Sequence, residues 1–383
     1  MKTQLAWFNL IHGGVRTAVA ASGVAFAAIL IFMQLGFLGA VETTATLIYD
    51  SLDFDVAIRS PSYLHFSHSR AFPSQRLQQA ASVQGVQSVE PFYIENSIWR
   101  NPNTGYVRTI LLMGFRPGHS VFLKQEITRK SARLTRVGDL LIDRKTRPGF
   151  GSRQSHFGDA DLGTTTEIAA KRVTIVGHFE LGTGLAADGA VILSDRGFAR
   201  LTPHRSVDDV NIGLVKLADP ARAVEIVRLM DAALPDDVQV VTRADVLSGE
   251  LARWVGETSI GLIFKLGVVV ALVVGMAIVT QILSQDISSH LPEYATLKAM
   301  GYSNAYLRAL VIKESLMLAV LGFGPALLLS QLLYRLTSDW ANLPIVMTYK
   351  TGSLVFFLTA AMCLAAGLAV IRRLSSADPA SLF

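Results

Sequence analysis

TAVAASGVAFAAILIFMQLGFLGAV, residues 17–41, is a run of 25 residues without one charged side chain. A helix needs about 20 mostly apolar residues to cross a bilayer, so this stretch spans. It is too long for the apolar core of a secretory signal, and no clear small-residue cleavage site follows it. It reads as a retained anchor. Three further runs lie near the other end of the chain. LGVVVALVVGMAIVTQILSQ (266–285) is uncharged, and 259–264 extends it backwards past Lys265; 315–334 and 351–371 are uncharged as well. Residues 41–258, 218 in all, carry 25 Lys+Arg and 25 Asp+Glu. The expected fold class follows: a membrane protein with four transmembrane α-helices and a large α/β extracytoplasmic domain inserted between spans 1 and 2.

The whole chain has 383 residues, 51% hydrophobic and 17% charged, against about 25% charged in an ordinary soluble domain. This composition excludes disorder and low complexity. A single cysteine, Cys363, excludes a disulfide scaffold and any cysteine-based metal or redox centre. The net charge is +5, and all of the excess lies outside 41–258. A nucleic-acid binder carries its basic excess on a folded domain, so no nucleic-acid partner is expected. Lys2, Arg16, Lys298, Arg308, Arg372 and Arg373 fall on one side of the four spans, Arg335 and Lys350 on the other. The positive-inside rule then puts both termini in the cytoplasm and 42–258 outside a plasma (inner) membrane. The expected boundaries are an N-terminal segment 1–16, spans at 17–41, 259–285, 308–334 and 351–371, a cytoplasmic loop 286–307, an outer loop 335–350 and a tail 372–383.

Within the outer region, both ends give β-α-β. DFDVAIR (53–59) alternates like a strand, SQRLQQAAS (74–82) reads as a short helix capped by Ser74, and 86–99 as a strand pair or one long strand. Residues 210–217 read as a strand, 220–234 as a helix opened by Asp219-Pro220, and 238–241 as a strand. The middle, about 106–202, is rich in β-branched runs and turns. The expectation is an α/β subdomain built from both ends with a β-rich subdomain inserted. From Arg243 to Ser284 there is no proline, so a continuous helix of 42 residues, about 63 Å long, is expected. Its outer part, about 243–258, would be a stalk, and 42–52 would extend the first span likewise.

Catalytic signatures are missing. The chain has no G-x-x-x-x-G-K-[ST], no H-E-x-x-H and no G-x-S-x-G. His65 and His68 in YLHFSH read as a surface loop, and Asp159 and Asp161 lack the later ligands of a calcium loop. No catalytic, cofactor-binding or metal-binding residue is expected. Lys265 snorkels to the outer interface. Gln34, Gln281 and Gln331 read as interhelical hydrogen-bonding groups, and Gly322-Phe323-Gly324-Pro325 as a kink or close helix approach.

The cytoplasmic loop has its own punctuation. Ser288 or Ser289 can cap, Pro292 suits a first turn, Glu293 complements the helix dipole, Gly301 suits the residue after the helix end, and Ser303 can cap the next helix. The loop is thus expected to hold a helix of about two turns. Its sequence, Pro-Glu-Tyr-Ala-Thr-Leu-Lys-Ala-Met-Gly-Tyr-Ser (292–303), resembles the coupling helix of FtsX-like, MacB-type ABC transporter permeases. Pro292 and Lys298 stand where that pattern usually has arginines, and Tyr294 where it has isoleucine. Leu5-Ala6-Trp7-Phe8-Asn9-Leu10 resembles the family's elbow helix, and Ala377-Asp378-Pro379-Ala380 its terminal motif. Within the family the chain is similar to the DevC subgroup, a free-standing permease.

The resemblance implies a permease of the mechanotransmission type, not an enzyme. It would dimerise and dock a separate ABC ATPase subunit that binds the ATP. Glu293, Leu297, Lys298, Met300, Gly301 and Tyr302 would form the ATPase dock. The resemblance also implies a membrane-fusion adaptor, a TolC-like outer-membrane duct and export of a cargo such as glycolipid. Other readings stand beside it: a lipid or lipoprotein extractor, a non-transporting regulator of a cell-wall hydrolase, and, last, a membrane sensor.

Overall fold

The computed structural model describes residues 14–66, 70–182, 184, 187–289, 300, 304–341 and 343–376. It divides into two compact units, one of Met1–Ala40 with Ser259–Phe383, the other of Val41–Thr258.

In the first unit, apolar composition and length make the spans. Helix α1 covers Val15–Ser51, and its residues up to 40 belong here. The other long helices of this unit, named α7 to α9 by their place in the whole chain, are α7 Ser259–Ser289, α8 Asn304–Ala341 and α9 Tyr349–Ser376. Lipid gives helices no hydrophobic reason to associate, so small residues that allow close approach decide the contacts. A Cβ on Gly322 of α8 would stand 2.6 Å from Val24 and 3.0 Å from the Ala21 carbonyl oxygen. One on Gly275 of α7 would stand 2.6 Å from Ala27. The expectation of close approach at Gly322-Phe323-Gly324-Pro325 is met at Gly322. Val24, Ala27, Val279, Leu318, Cys363 and Ala366 fill the shared core. Gln34 packs against Gly267, whereas Gln281 and Gln331 are exposed on this chain. Lys265 is exposed too.

The second unit is built on a nine-stranded sheet of order β11-β1-β10-β3-β4-β8-β5-β7-β6. Its strands are β1 Val56–Arg59, β3 Val86–Arg100, β4 Val107–Phe115, β5 Asp139–Asp143, β6 Thr165–Ile168, β7 Lys171–Phe179, β8 Ala190–Ser194, β10 Ile212–Leu217 and β11 Gln239–Thr242. The short β2 (Phe72–Pro73) and β9 (Asp209–Val210) pair separately. Helices α2 (Gln75–Ala81) and α5 (Ala223–Ala233) put Leu77, Ala80, Ile226 and Met230 into the same core as Val56, Ile58 and Val215. Helices α3 (Gln125–Ser131) and α4 (Asp195–Leu201) flank the middle strands.

Strands from the two ends of this unit (β11, β1, β10) lie on one side of the sheet order and strands from its middle (β4, β8, β5, β7, β6) on the other. One 15-residue strand, β3, belongs to both halves. Its first half pairs with β10, as in Phe92↔Ile212, and its second with β4, as in Tyr93↔Gly114. At the changeover the Ile94 N–H loses a ladder partner, and Asn211 Oδ1 accepts it at 3.0 Å. Beyond that point the sheet closes on itself, because β6 pairs back with β3 through Trp99↔Ile168 and Arg100↔Glu167. Strands β3, β4, β8, β5, β7 and β6 therefore form a closed barrel, which removes the exposed edges. The unbroken apolar run Ile110-Leu111-Leu112-Met113 fits this arrangement. Ile110 and Leu112 face one core and Leu111 and Met113 the other, so both faces of β4 are buried.

The Ser74 cap is corrected. Ser74 has helical φ and ψ and makes no cap bond; its hydroxyl points to Asp208 Oδ1 at 3.2 Å.

Candidate functional site: the two connectors of the outer unit

Of the six residues expected to dock an ATPase, Glu293, Leu297, Lys298, Gly301 and Tyr302 lie outside the described residues. Met300 is described: it sits in a turn and is 63% exposed. The elbow motif 5–10 and the tail motif 377–380 also lie outside them, as does His68. What the structure does build is the pair of segments through which the outer unit continues into the spans.

The first connector is the C-terminal part of α1. Helical periodicity puts Ala45, Ile48 and Tyr49 on one face, and all three are buried in the outer unit. The helix has no break between Val15 and Ser51.

The second connector differs, and the expected continuous helix is corrected. Helix α6 covers Arg243–Leu251, opened by a capping box of Thr242 and Asp245. A π-helical turn follows over Ala252–Glu257, and Thr258 is then extended at φ −83°, ψ 148° before α7 begins. The cause is chemical. Val255, Gly256, Thr258 and Ser259 are all poor helix formers, and Gly256 brings the largest backbone entropy cost. Thr258 closes the turn against its own segment: its N–H bonds to the Arg253 carbonyl at 3.1 Å and its hydroxyl to that of Trp254 at 2.5 Å. These bonds satisfy carbonyls that a continuing helix would have used. Serine and threonine hydroxyls compete for backbone in this way, which a search for proline alone overlooks.

The connectors are tied together by two sets of contacts. Arg243, at the start of α6, donates from Nη1 to the Leu52 carbonyl at 2.8 Å and lies 4.9 Å from the centre of the Phe54 ring. One turn or two further on, the Glu250 carboxylate accepts from the Tyr63 hydroxyl at 2.5 Å. The Tyr63 hydroxyl is in turn bonded to that of Tyr49 on α1. Tyr49, Tyr63 and Glu250 are 2%, 7% and 2% exposed, so the whole chain of oxygens is buried. Arg59 stacks on the Tyr63 ring at 4.7 Å, and Trp254 stacks on Phe66 at 6.3 Å with planes 14° apart. Burial pushes the Glu250 carboxyl up to about 7; the Tyr63 hydrogen bond, the Arg59 and Arg253 charges and Trp254 oppose it and do not win. Burial likewise holds the Tyr63 hydroxyl well above its ordinary value, so it remains a donor.

Sequence reading missed this cluster, since Tyr63 and Glu250 are 187 positions apart. It also missed Glu314, which is buried on the same face of α8 as Val311 and Leu318. Asp159 and Asp161 are engaged within the fold: Asp161 accepts the Arg153 and Gly158 N–H groups, and Asp159 pairs with His178 at 2.9 Å. Among the described residues there is no group of three or more metal-ligating side chains.

Residues 265–379 match the family model described as FtsX-like permease C-terminal. An uncharacterised ABC transporter permease of Mycobacterium tuberculosis, found in strains CDC 1551 / Oshkosh and H37Rv, is 24% identical over 371 residues. That alignment covers 95% of this chain and 94% of the relative. Two solved domains are looser likenesses. The extracellular domain of the noncanonic ABC-type transporter YknZ from Gram-positive bacteria is 12% identical, covering 49% of this chain and 100% of its own, with a TM-score of 0.33. The periplasmic region of MacB from Actinobacillus actinomycetemcomitans is 11% identical, covering 52% and 94%, with a TM-score of 0.35. With four helices long and apolar enough to cross a bilayer, the last three within or reaching into 265–379, the chain is a multi-pass membrane protein whose residues 265–379 are similar to the C-terminal domain of FtsX-like permeases.

Proposed function

We propose that this chain is the permease subunit of an ABC transporter of the mechanotransmission type, with ATP hydrolysed by a separate subunit. The observation that carries the reading is the match of 265–379 to the FtsX-like permease domain, set in a chain aligned over 95% of its length with an ABC transporter permease. In this reading two copies form the membrane dimer. The ATPase docks on the cytoplasmic loop through Glu293, Leu297, Lys298, Met300, Gly301 and Tyr302. Its closure on ATP moves the spans, and the two connectors pass the movement to the outer unit. The cargo is handled on the outer side, with a membrane-fusion adaptor and a TolC-like duct as further partners and a glycolipid as the proposed cargo. The outer unit supplies the surface that moves and no covalent chemistry.

The dock is tested at Gly301, where the sequence expects a left-handed backbone that glycine adopts without strain. The full chain is co-expressed with its ATPase subunit and purified by a tag on the permease. Gly301→Val should lower ATPase recovery several-fold while membrane levels of the permease stay unchanged. Equal recovery with undiminished ATP turnover would remove the loop as the dock.

A further inference from the structure

Glu250 is the one carboxyl through which α6 is hydrogen-bonded to the Tyr63 and Tyr49 hydroxyls. We propose that it is a proton-operated latch of the outer unit: with its proton bound, the neutral carboxyl stays buried beside Tyr63 and Tyr49 and the second connector docks against the first, whereas loss of the proton leaves an anion in a dry site, and the cost of burying that charge releases α6 and the π-helical turn. The cluster is dry, at 7% exposure or less on each of its three members, and its oxygens come from three separate segments. An anion there must be held by hydrogen bonds and charges alone. The groups that face it are few. Tyr49 comes from α1, Tyr63 from the loop after β1, Arg59 from β1, and Arg253 and Trp254 from the π-helical turn. His65 lies against the Trp254 ring at 6.3 Å. Neither arginine forms an ion pair with Glu250 among the described residues, and Arg59 is spent on the Tyr63 ring and on Gln239.

The sign follows from burial. The carboxyl is raised from 4.5 to about 7 in the folded protein. Docking is therefore strongest below about pH 4.5, weakens as a free carboxyl would ionise, and reaches its low plateau above about pH 7. Transition through this range falls where an extracytoplasmic compartment is acidified or neutralised, which makes it a usable switch. Its release would act where the connector is already weakest, since the π-helical turn and the extended Thr258 follow Glu250 within eight residues. The contacts lie wholly inside the outer unit and hold whether or not the chain moves cargo.

Hydrogen exchange of the full chain in nanodiscs, at pH 5.5 and pH 8.5 and corrected for intrinsic rates, tests the latch over residues 244–257. Wild type should lose protection there by about tenfold or more at the higher pH, since each unit of displaced pKa is worth about a factor of ten. Strands β4 and β8 of the same molecules serve as the control that the unit stays folded. Glu250→Gln keeps an acceptor and cannot ionise, so its protection should be equal at both values. Tyr63→Phe should lose protection at pH 5.5 already. A wild type equally protected at both pH values, or a Glu250→Gln chain that keeps the wild-type dependence, would overturn the latch. A Tyr63→Phe chain that also loses β4 and β8 leaves those two comparisons to decide it. ATPase recovery by the Gly301→Val chain tests the transport reading separately.

Discussion

The two connectors of the outer unit have the same task in the topology and opposite construction. The first is regular helix throughout, with Ala45, Ile48 and Tyr49 buried along one face. The second passes from α6 through a π-helical turn into the extended backbone of Thr258. One is stiff by hydrogen bonding, the other is held by side-chain contacts: Arg243 on Leu52 and Phe54, Glu250 on Tyr63, Trp254 on Phe66. Mid-chain π turns mark functional sites more often than chance would place them. The difference suggests a division of labour. The first connector is continuous helix, and the second carries the irregular backbone.

Breaking each connector with the same residue puts this to the test. Thr46→Pro removes one backbone bond and drives a ring into the preceding turn of a regular helix, at about 3 kcal/mol or more. It should lower the melting temperature of the solubilised chain and, on the proposed function, abolish transport. Val255→Pro falls three residues before a backbone that has already left the helix, so it should cost clearly less and leave the fold intact. Circular dichroism melts and membrane levels of the two chains decide it. If Val255→Pro proves as damaging as Thr46→Pro, the second connector is a rigid element after all.

The ties come next in size. Arg243→Ala removes a charged hydrogen bond to the Leu52 carbonyl and a cation stacked on Phe54, together worth about 2 kcal/mol. Arg243→Lys keeps the charge and loses the fork, so it should recover only part of the loss. The same ranking should appear as faster hydrogen exchange in α6 with β4 and β8 unaffected. Equal stability of wild type, Lys and Ala chains would show that the connectors are not tied at this point.

The contrast between the connectors explains what could be read in advance. Four spans were legible because an uncharged run of 20 residues has few other uses. Strand β1 was legible because alternation is local, and the Gly322-Phe323-Gly324-Pro325 run because small residues in a span have a defined packing role. The barrel was not legible, since its closing pair, Trp99 and Ile168, joins distant parts of the chain and no local pattern encodes it. Nor was the halfway change of partner along β3, which depends on Asn211 reaching Ile94. The break at Thr258 was written in weak signals, one glycine and three β-branched or hydroxyl residues, that no single strong breaker announces. Of the expected ATPase dock only Met300 is described, and its exposed turn is compatible with contact by a partner without selecting one.

The smallest change sharpens the comparison by making the second connector more like the first. Gly256 lies in the π-helical turn, its φ is not left-handed, and a Cβ there would meet nothing within 4 Å. Alanine therefore fits without strain, and it restricts the unfolded chain more than glycine does. Gly256→Ala should stabilise the segment by about 0.4–1 kcal/mol. Gly249 in α6 offers the matched control, because its Cβ position is also open and it sits in regular helix. Gly249→Ala should give a similar gain in stability and no change in work done. Gly256→Ala should slow exchange over 252–258 a few-fold and, if the turn must yield during each cycle, reduce transport per ATP hydrolysed. On the proposed function, transport unchanged by Gly256→Ala, with exchange measurably slowed, would show that the turn is a passive irregularity.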